Sequence, residues 1–338
     1  MKYLIPITIL FFLITAAVFA APAEVVYAEG EASIKDTAGD EFEVYIGDEV
    51  KTGDTVSTGY DGFVEMDQNG VVLKINSDTV FTLMEREEGN EKTDVFSIAL
   101  GSIKFRYDKL TGKEPKIQMV SCVAGVRGTE FTVFSGVDGS ALIVVDKGRV
   151  EVEAEGETVE LNPEEGVEVQ PGAPPGEKFK VHRDQIDYSK WNEEKLNTML
   201  RNPVETVHKL QQRMAYYIKN VNEYFPLYQE YMEKLTSERQ KYVEIKEKKG
   251  EEIAKKYYSE NVVPLTTDTR NLFINTRYFS LAALSMRRFV AGRIYLTVKS
   301  LNINKLTDSL YQDFFKYYSR LLESFEKSIV PQLVEADI

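Results

Sequence analysis

Hydrophobic and polar residues alternate in short runs through the first half of the chain, whereas in the second half apolar residues recur every three or four positions. Alternation is the pattern of strands with one buried face. In Phe42–Ile46 it places Phe42, Val44 and Ile46 on one side. In Arg149–Glu153 it turns Val150 and Val152 inward and the charges outward. Further strands are expected at Val71–Ile75, Val80–Met84, Val95–Leu100, Ile103–Tyr107, Glu130–Phe134, Ala141–Val145 and Gly166–Val169. Of the 21 glycines, 19 lie at or before Gly176, so turns punctuate this half and not the other. Short strands in series between such turns predict a many-stranded all-β region, either a sandwich or a solenoid-like stack.

The run Pro171-Gly172-Ala173-Pro174-Pro175-Gly176 supports neither strand nor helix and reads as a linker extending over 171–187. Helices follow over 188–338. Asn202-Pro203 reads as a cap followed by proline in the first turn. From there Val207, Leu210, Met214, Tyr217, Val221, Tyr224, Tyr228, Tyr231 and Leu235 step by three and four, the seam spacing of a coiled coil. That helix is expected to reach about Tyr258, with a kink before Pro226. Pro264 opens a second helix, and a third starts near Asn304 or Lys305 with Leu310, Phe314, Tyr317, Leu321 and Phe325 on one stripe. Three long helices with short connections imply an antiparallel bundle. The same seam suits self-association through the helices.

Charge divides the chain at the same place. Residues 24–177 carry 13 Lys/Arg against 33 Asp/Glu, and residues 178–338 carry 27 against 21. So acidic a first half is repelled by nucleic acid, which is excluded as a partner. Met1-Lys2 followed by the apolar run Leu4–Ala20 reads as a secretory signal over 1–23, cut after Ala20 or after Ala23. No cysteine follows it as a lipid-attachment site, so the mature protein is expected in the periplasm or secreted, not integral to a membrane. The lone Cys122 excludes an intrachain disulfide and, in an apolar segment, reads as a small buried hydrophobe.

One motif is specific. Gly125, Arg127, Gly128, Thr129, Glu130 and Phe131, preceded by the Gly-Asp turns of Gly47–Gly59, resemble the FecR-type domain, an all-β module of bacterial cell envelopes. The resemblance covers residues 24–170. In structural terms the glycines permit a sharp turn, Arg127 fixes it through carbonyls or Glu130, and Phe131 enters the core. In functional terms Arg127 is an anion clamp. Signalling members of the family carry a cytoplasmic segment before a membrane helix and act through it on a sigma factor. Only Met1-Lys2-Tyr3 precedes the apolar run here, so direct sigma-factor contact is not expected, and an envelope-signalling accessory role remains an alternative.

No pattern points to catalysis, a cofactor or a metal. Asp48, Asp54, Asp61 and Asp67 are spaced as turn caps rather than as converging calcium ligands. His182 and His208 have no partners at zinc spacing. The abundant carboxylates mark no pair. Tyr216, Tyr257 and Tyr258, with Lys248, Lys249, Lys255 and Lys256 near the helical tip, are the candidates for binding a partner. The expected function is non-enzymatic: a β platform with a helical domain that binds an envelope protein. Binding of cell-wall glycan such as peptidoglycan is the alternative.

Overall fold

The computed structural model describes residues 22–88, 91–107 and 113–336, so the signal-like segment falls outside the described residues apart from its last two positions. The first described strand, Ala23–Glu29, has Ala23 fully buried opposite Val50. Of the two expected cleavage sites, the one after Ala20 leaves this strand whole.

The first half is a continuous hydrogen-bonded sheet, mostly antiparallel, that folds over on itself. Strand Glu91–Tyr107 shows how. Phe96 and Phe105 lie on this one strand, nine residues apart, which in extended chain is about 30 Å. Their rings nevertheless stack with centroids 5.8 Å apart. The strand therefore doubles back, and it does so at Gly101, where φ is +96°. Residues 91–100 pair with Val80–Glu88 and, in parallel, with Lys116–Met119. Residues 101–107 pair with Val71–Ile75 and with Val123–Ser135. The two layers thus share long strands and enclose one core, in which Phe131 continues the stack on Phe105 at 5.0 Å. Two such ring pairs contribute about 1–3 kcal/mol beyond the area they bury.

At Arg149–Glu153 the alternation predicts the sheet correctly, with Val150 and Val152 buried. Phe42–Ile46 is different: Phe42 and Ile46 are exposed and only Val44 turns in. The strand here is the edge segment Glu41–Glu43, paired on one side only. The chain leaves the ladder at Val44, whose N–H donates to the Ala32 carbonyl at 3.1 Å. The four turn aspartates cap backbone. Asp48 and Asp54 accept from Tyr45 and Lys51 N–H groups at 2.8 Å, and Asp61 and Asp67 accept from Glu31 and Gly70 at 3.2 Å. Cys122 is buried, and burial pushes its thiol up to about 12.

The segment 171–187 lies against the sheet. Phe179–Lys180 pairs with Glu165–Gly166, and Val181 joins Phe134, Leu142 and Val144 under the rings of Tyr188 and Trp191. The helices are α1 (Tyr188–Arg201), α2 (Pro203–Lys249), α3 (Glu251–Tyr257), α4 (Val263–Ser285), α5 (Gly292–Leu301), α6 (Ser309–Ser328) and α7 (Val330–Glu335). Helix α2 runs through Pro226 and stops at Gly250, where φ is +88°, short of the expected Tyr258. Pro264 stands in the first turn of α4, which follows α3 through a wide helical turn at Tyr258–Val262 without leaving the helical path.

Ring contacts give the directions. Tyr242 meets Tyr258, Tyr228 meets Phe273 and Tyr224 meets Phe279, so α4 runs antiparallel to α2. Gln211 reaches Tyr317 and Gln229 reaches Glu335, so α6 runs parallel to α2. The bundle is up, down, up. On α6 the buried stripe is Tyr311, Phe314, Tyr318, Leu321 and Phe325, while Leu310 is exposed. Of the expected stripe only Leu310 falls outside the packed face, while Tyr317 is half-buried against the same cluster, because the bundle rather than the pattern sets the rotation of the helix.

Met84, Val95 and Val120 of the sheet lie in the same apolar cluster as the buried faces of α2, α4 and α6. The halves meet across this apolar seam, and polar contacts rim it. Arg277 Nη2 donates to the Thr52 carbonyl at 2.9 Å, and Asn275 Oδ1 accepts from the Glu87 N–H at 3.1 Å.

Candidate functional site

The motif residues build the sheet. Gly125 lies between Lys116 and Glu151 in the ladder, with open space where a Cβ would stand. Pairing shifts between Arg127 and Glu130, which places a bulge at the motif. The side chains of Arg127, Gly128 and Thr129 lie outside the described residues. Glu130 accepts from Lys104 and from Lys147, and the Lys104 hydrogen bond holds its carboxyl below the usual range. Phe131 is wholly buried.

At the helical tip, Tyr258 packs on Tyr242 and Tyr257 donates to Glu238. Lys248, Lys255 and Lys256 pair with Glu244, Glu251 and Glu260, and Lys249 is exposed beside them. Such exposed pairs hold little energy and leave no concentrated positive charge. The structure thus separates Tyr257, Tyr258 and the lysines from Tyr216, which stands far along α2 at the seam.

At Tyr216 the structure assembles a site. A cleft of about 530 Å³ opens between the sheet and α2, lined by Arg86, Glu88, Lys116, Arg213 and Tyr216. Tyr216 is 40% exposed, whereas its neighbour Tyr217 is buried. The Arg213 guanidinium lies 4.5 Å from the Tyr216 ring centroid and 5.0 Å from that of Tyr217, and its Nε donates to the Tyr217 hydroxyl at 3.3 Å. Arg213 is only 8% exposed and makes no ion pair among the described residues. Burial alone would lower its affinity for a proton, but the surrounding tyrosine oxygens, Tyr217 foremost, hold it firmly charged.

Across the cleft, Arg86 lies 5.2 Å from the rings of both Tyr278 and Phe279 and pairs with Glu88 at 3.2 Å, while its Nε is buried without a partner. Lys116 also engages Glu88, at 2.9 Å. Glu88 is thereby held below the usual carboxylate range although burial pushes the other way. Glu153 and Glu155 complete the far wall. The site is therefore polar and aromatic, with one buried cation lacking an acidic partner. Such a surface holds a carboxylate or carbonyl of a partner by hydrogen bonds and a flat group by stacking.

Arg213 and Arg86 escaped the sequence reading. Arg213 had a signal: three residues after Leu210 and four before Tyr217, it is a cation beside the apolar stripe of α2. Arg86 had none, because a charged residue near the end of a strand is ordinary.

No His/Cys/Asp/Glu cluster among the described residues is suited to a metal. A carboxylate raised well above its ordinary range is Asp94, opposite Glu85 in the ladder. Burial first, and Glu85 second, push it up to about 6 against the pull of Lys92. A carboxyl raised on folding stabilises most when protonated, so its contribution is lost as pH rises from about 4 to about 6. Asp94→Asn is expected to add about 2 kcal/mol of stability at pH 7, allowing for partial exposure, and little at pH 4. Urea denaturation at the two pH values reads this directly, and an equal gain at both would refute the assignment.

With the fold and cleft in view, comparison with known families reaches part of the β half: residues 54–151 match the model of the FecR protein family. They form a FecR domain. The domain contains the motif at Gly125–Phe131 and the doubled-back strand, and it ends before the helical half begins. Comparison with curated proteins finds no match. Two crystal structures from Parabacteroides distasonis ATCC 8503, each provisionally named an anti-sigma factor, are similar in part. One is 19% identical with a TM-score of 0.33, covering 39% of this chain and 61% of that one. The other is 18% identical with a TM-score of 0.34, covering 40% and 63%. The chain thus spans less than two thirds of either neighbour. FecR proteins are associated with the cell envelope, and no helix of the described residues is long and apolar enough to cross a membrane.

Proposed function

We propose that the protein is a non-catalytic, exported binding module of the bacterial envelope, periplasmic in location, in which the FecR domain is a rigid platform and the seam cleft receives a partner protein. The observation that carries this reading is the pairing of half-exposed Tyr216 with buried Arg213, a cation with no acidic partner among the described residues. Tyrosine and arginine dominate the energetics of protein interfaces, because each buries a large flat surface and retains a polar end. Both lie on a cleft whose walls come from the two halves, so a partner docked there reads their joint surface. An accessory role in envelope signalling is the alternative reading, supported by the match of residues 54–151 to the FecR family.

The test is a photo-crosslinking residue at position 216 in cells that export the protein, with a second at Lys249 on the tip. Crosslinks to a defined envelope protein from position 216 and not from 249 are expected. Tyr216→Ala is expected to weaken that complex by about 2 kcal/mol, roughly thirtyfold. Crosslinks from the tip alone would move the interface away from the cleft. Retention of the wild type on purified cell-wall sacculi, unchanged by Tyr216→Ala and without any protein crosslink, would replace a protein partner by a glycan.

A further inference from the structure

A second, chemically different site lies on the descending arm of the bundle. The chain is acidic overall, with a net charge of −13, yet between Asp268 and Asp308 it contains no Asp or Glu. Within that stretch, helix α4 passes into α5 through the wide turn Met286–Ala291, where the Gly292 N–H bonds to the Arg287 carbonyl five residues back. Turns of this kind insert one residue into a helix and are found disproportionately at functional sites.

The insertion has a geometric effect. In a regular α-helix, residues five apart point about 140° away from each other. A turn closed by an i→i+5 bond brings them nearly into line. Arg288 and Arg293 are five apart across this turn, and both line one cavity of about 410 Å³ together with Arg287, Tyr295 and Tyr318. No acidic residue lines that cavity, and none of the three arginines makes an ion pair among the described residues. Asp36 lines the neighbouring cavity, whose wall Arg288 shares. The Arg287 Nε is buried without a hydrogen-bond partner, its guanidinium 5.6 Å from the Phe325 ring centroid. Tyr295 and Tyr318 stack at 4.6 Å and form a flat aromatic wall.

We propose that this cavity binds a phosphate-bearing ligand, held by Arg287, Arg288 and Arg293 with its body against Tyr295 and Tyr318. Arginine presents a planar fork of donors that matches the oxygens of phosphate. Three guanidinium groups exceed what one carboxylate neutralises, whereas a phosphomonoester carries close to two negative charges at neutral pH. Arg287 lines the cavity with no acidic partner among the described residues, so its charge, like those of exposed Arg288 and Arg293, is left for such an anion. This site is independent of the seam cleft.

Calorimetric titration of the full chain with inorganic phosphate and with glycerol 3-phosphate tests it, alongside sedimentation with vesicles containing phosphatidic acid, whose headgroup is a phosphomonoester. Arg288 and Arg293 are exposed, so R288Q/R293Q removes two charges without opening the core. The double variant is expected to bind at least tenfold more weakly, and Arg287→Lys, which keeps charge but loses the fork, is expected to fall between it and the wild type. Saturation by glycerol 3-phosphate without vesicle binding identifies a soluble ester. Vesicle binding that the double variant loses identifies a lipid headgroup. Either supports the site. Binding of neither ligand, or equal binding by wild type and double variant, overturns it, and the circular dichroism of the variant confirms that the comparison is between folded proteins.

Discussion

Gly101→Ala is expected to cost about 4 kcal/mol, a large share of the stability of an ordinary domain. Two effects add. The backbone at Gly101 has φ +96°, which carries a penalty of about 1–2 kcal/mol for a residue with a Cβ. That Cβ would also stand 2.2 Å from Thr79 Oγ1 and 2.4 Å from Thr79 Cα. Thr79 has no room to retreat. It is fully buried, its hydroxyl accepts from the Ser102 N–H at 3.0 Å, and its own N–H donates to Thr58 Oγ1 at 3.0 Å. Forcing extra volume into so tight a place costs about 1–3 kcal/mol more. Gly125→Ala is the control: its space is open and its φ is not positive, so a change within about 0.5 kcal/mol is expected. Equilibrium denaturation of both variants settles the matter. If Gly101→Ala were as stable as Gly125→Ala, the strand would not double back at Gly101.

Phe279→Ala is expected to cost about 3–5 kcal/mol, the range for deleting a buried aromatic side chain. Phe279 is fully buried at the seam. It stacks on Tyr224 at 5.8 Å, meets Tyr216 edge-on at 6.0 Å and lies under the Arg86 guanidinium at 5.2 Å. Its loss therefore opens a cavity and also unseats both sides of the cleft. Two readouts move together: the denaturation midpoint falls, and the crosslink from position 216 weakens even at temperatures where the variant is folded. Phe315→Ala, on a ring that is 42% exposed, is expected to change stability far less. A loss below about 1 kcal/mol for Phe279→Ala would show that the seam tolerates a cavity and is not the rigid joint described here.

Much of the architecture was readable from local pattern. The β-then-α order followed from the glycines and from the change of period, because strand and helix periodicities are properties of neighbouring residues. The stripe Val207–Tyr217 was right for the same reason, and Asp48, Asp54 and Asp67 were right because an Asp caps a backbone N–H within three residues of itself, whereas Asp61 caps Glu31, distant in the chain. Phe42 and Ile46 were misplaced because alternation says nothing about whether a strand has a neighbour on both sides. The stripe of α6 was misplaced at Leu310, which is exposed, because spacing alone does not fix the rotation of a helix, while Tyr317 packs half-buried against the same apolar cluster.

By itself, then, the sequence determined the two kinds of secondary structure, their order, the divided charge and the FecR domain, all of which rest on contacts between residues close in the chain or on a short motif. Tertiary structure alone decided that the sheet folds over at Gly101, that the helices share an apolar cluster with Met84, Val95 and Val120, and that Arg86 meets Arg213 and Tyr216 across a cleft. Arg86 and Arg213 are separated by more than a hundred residues, and no local periodicity encodes which face of a helix meets which face of a sheet. That choice is made by the fit of whole surfaces, where burying one apolar face against another outweighs any preference of the separate elements.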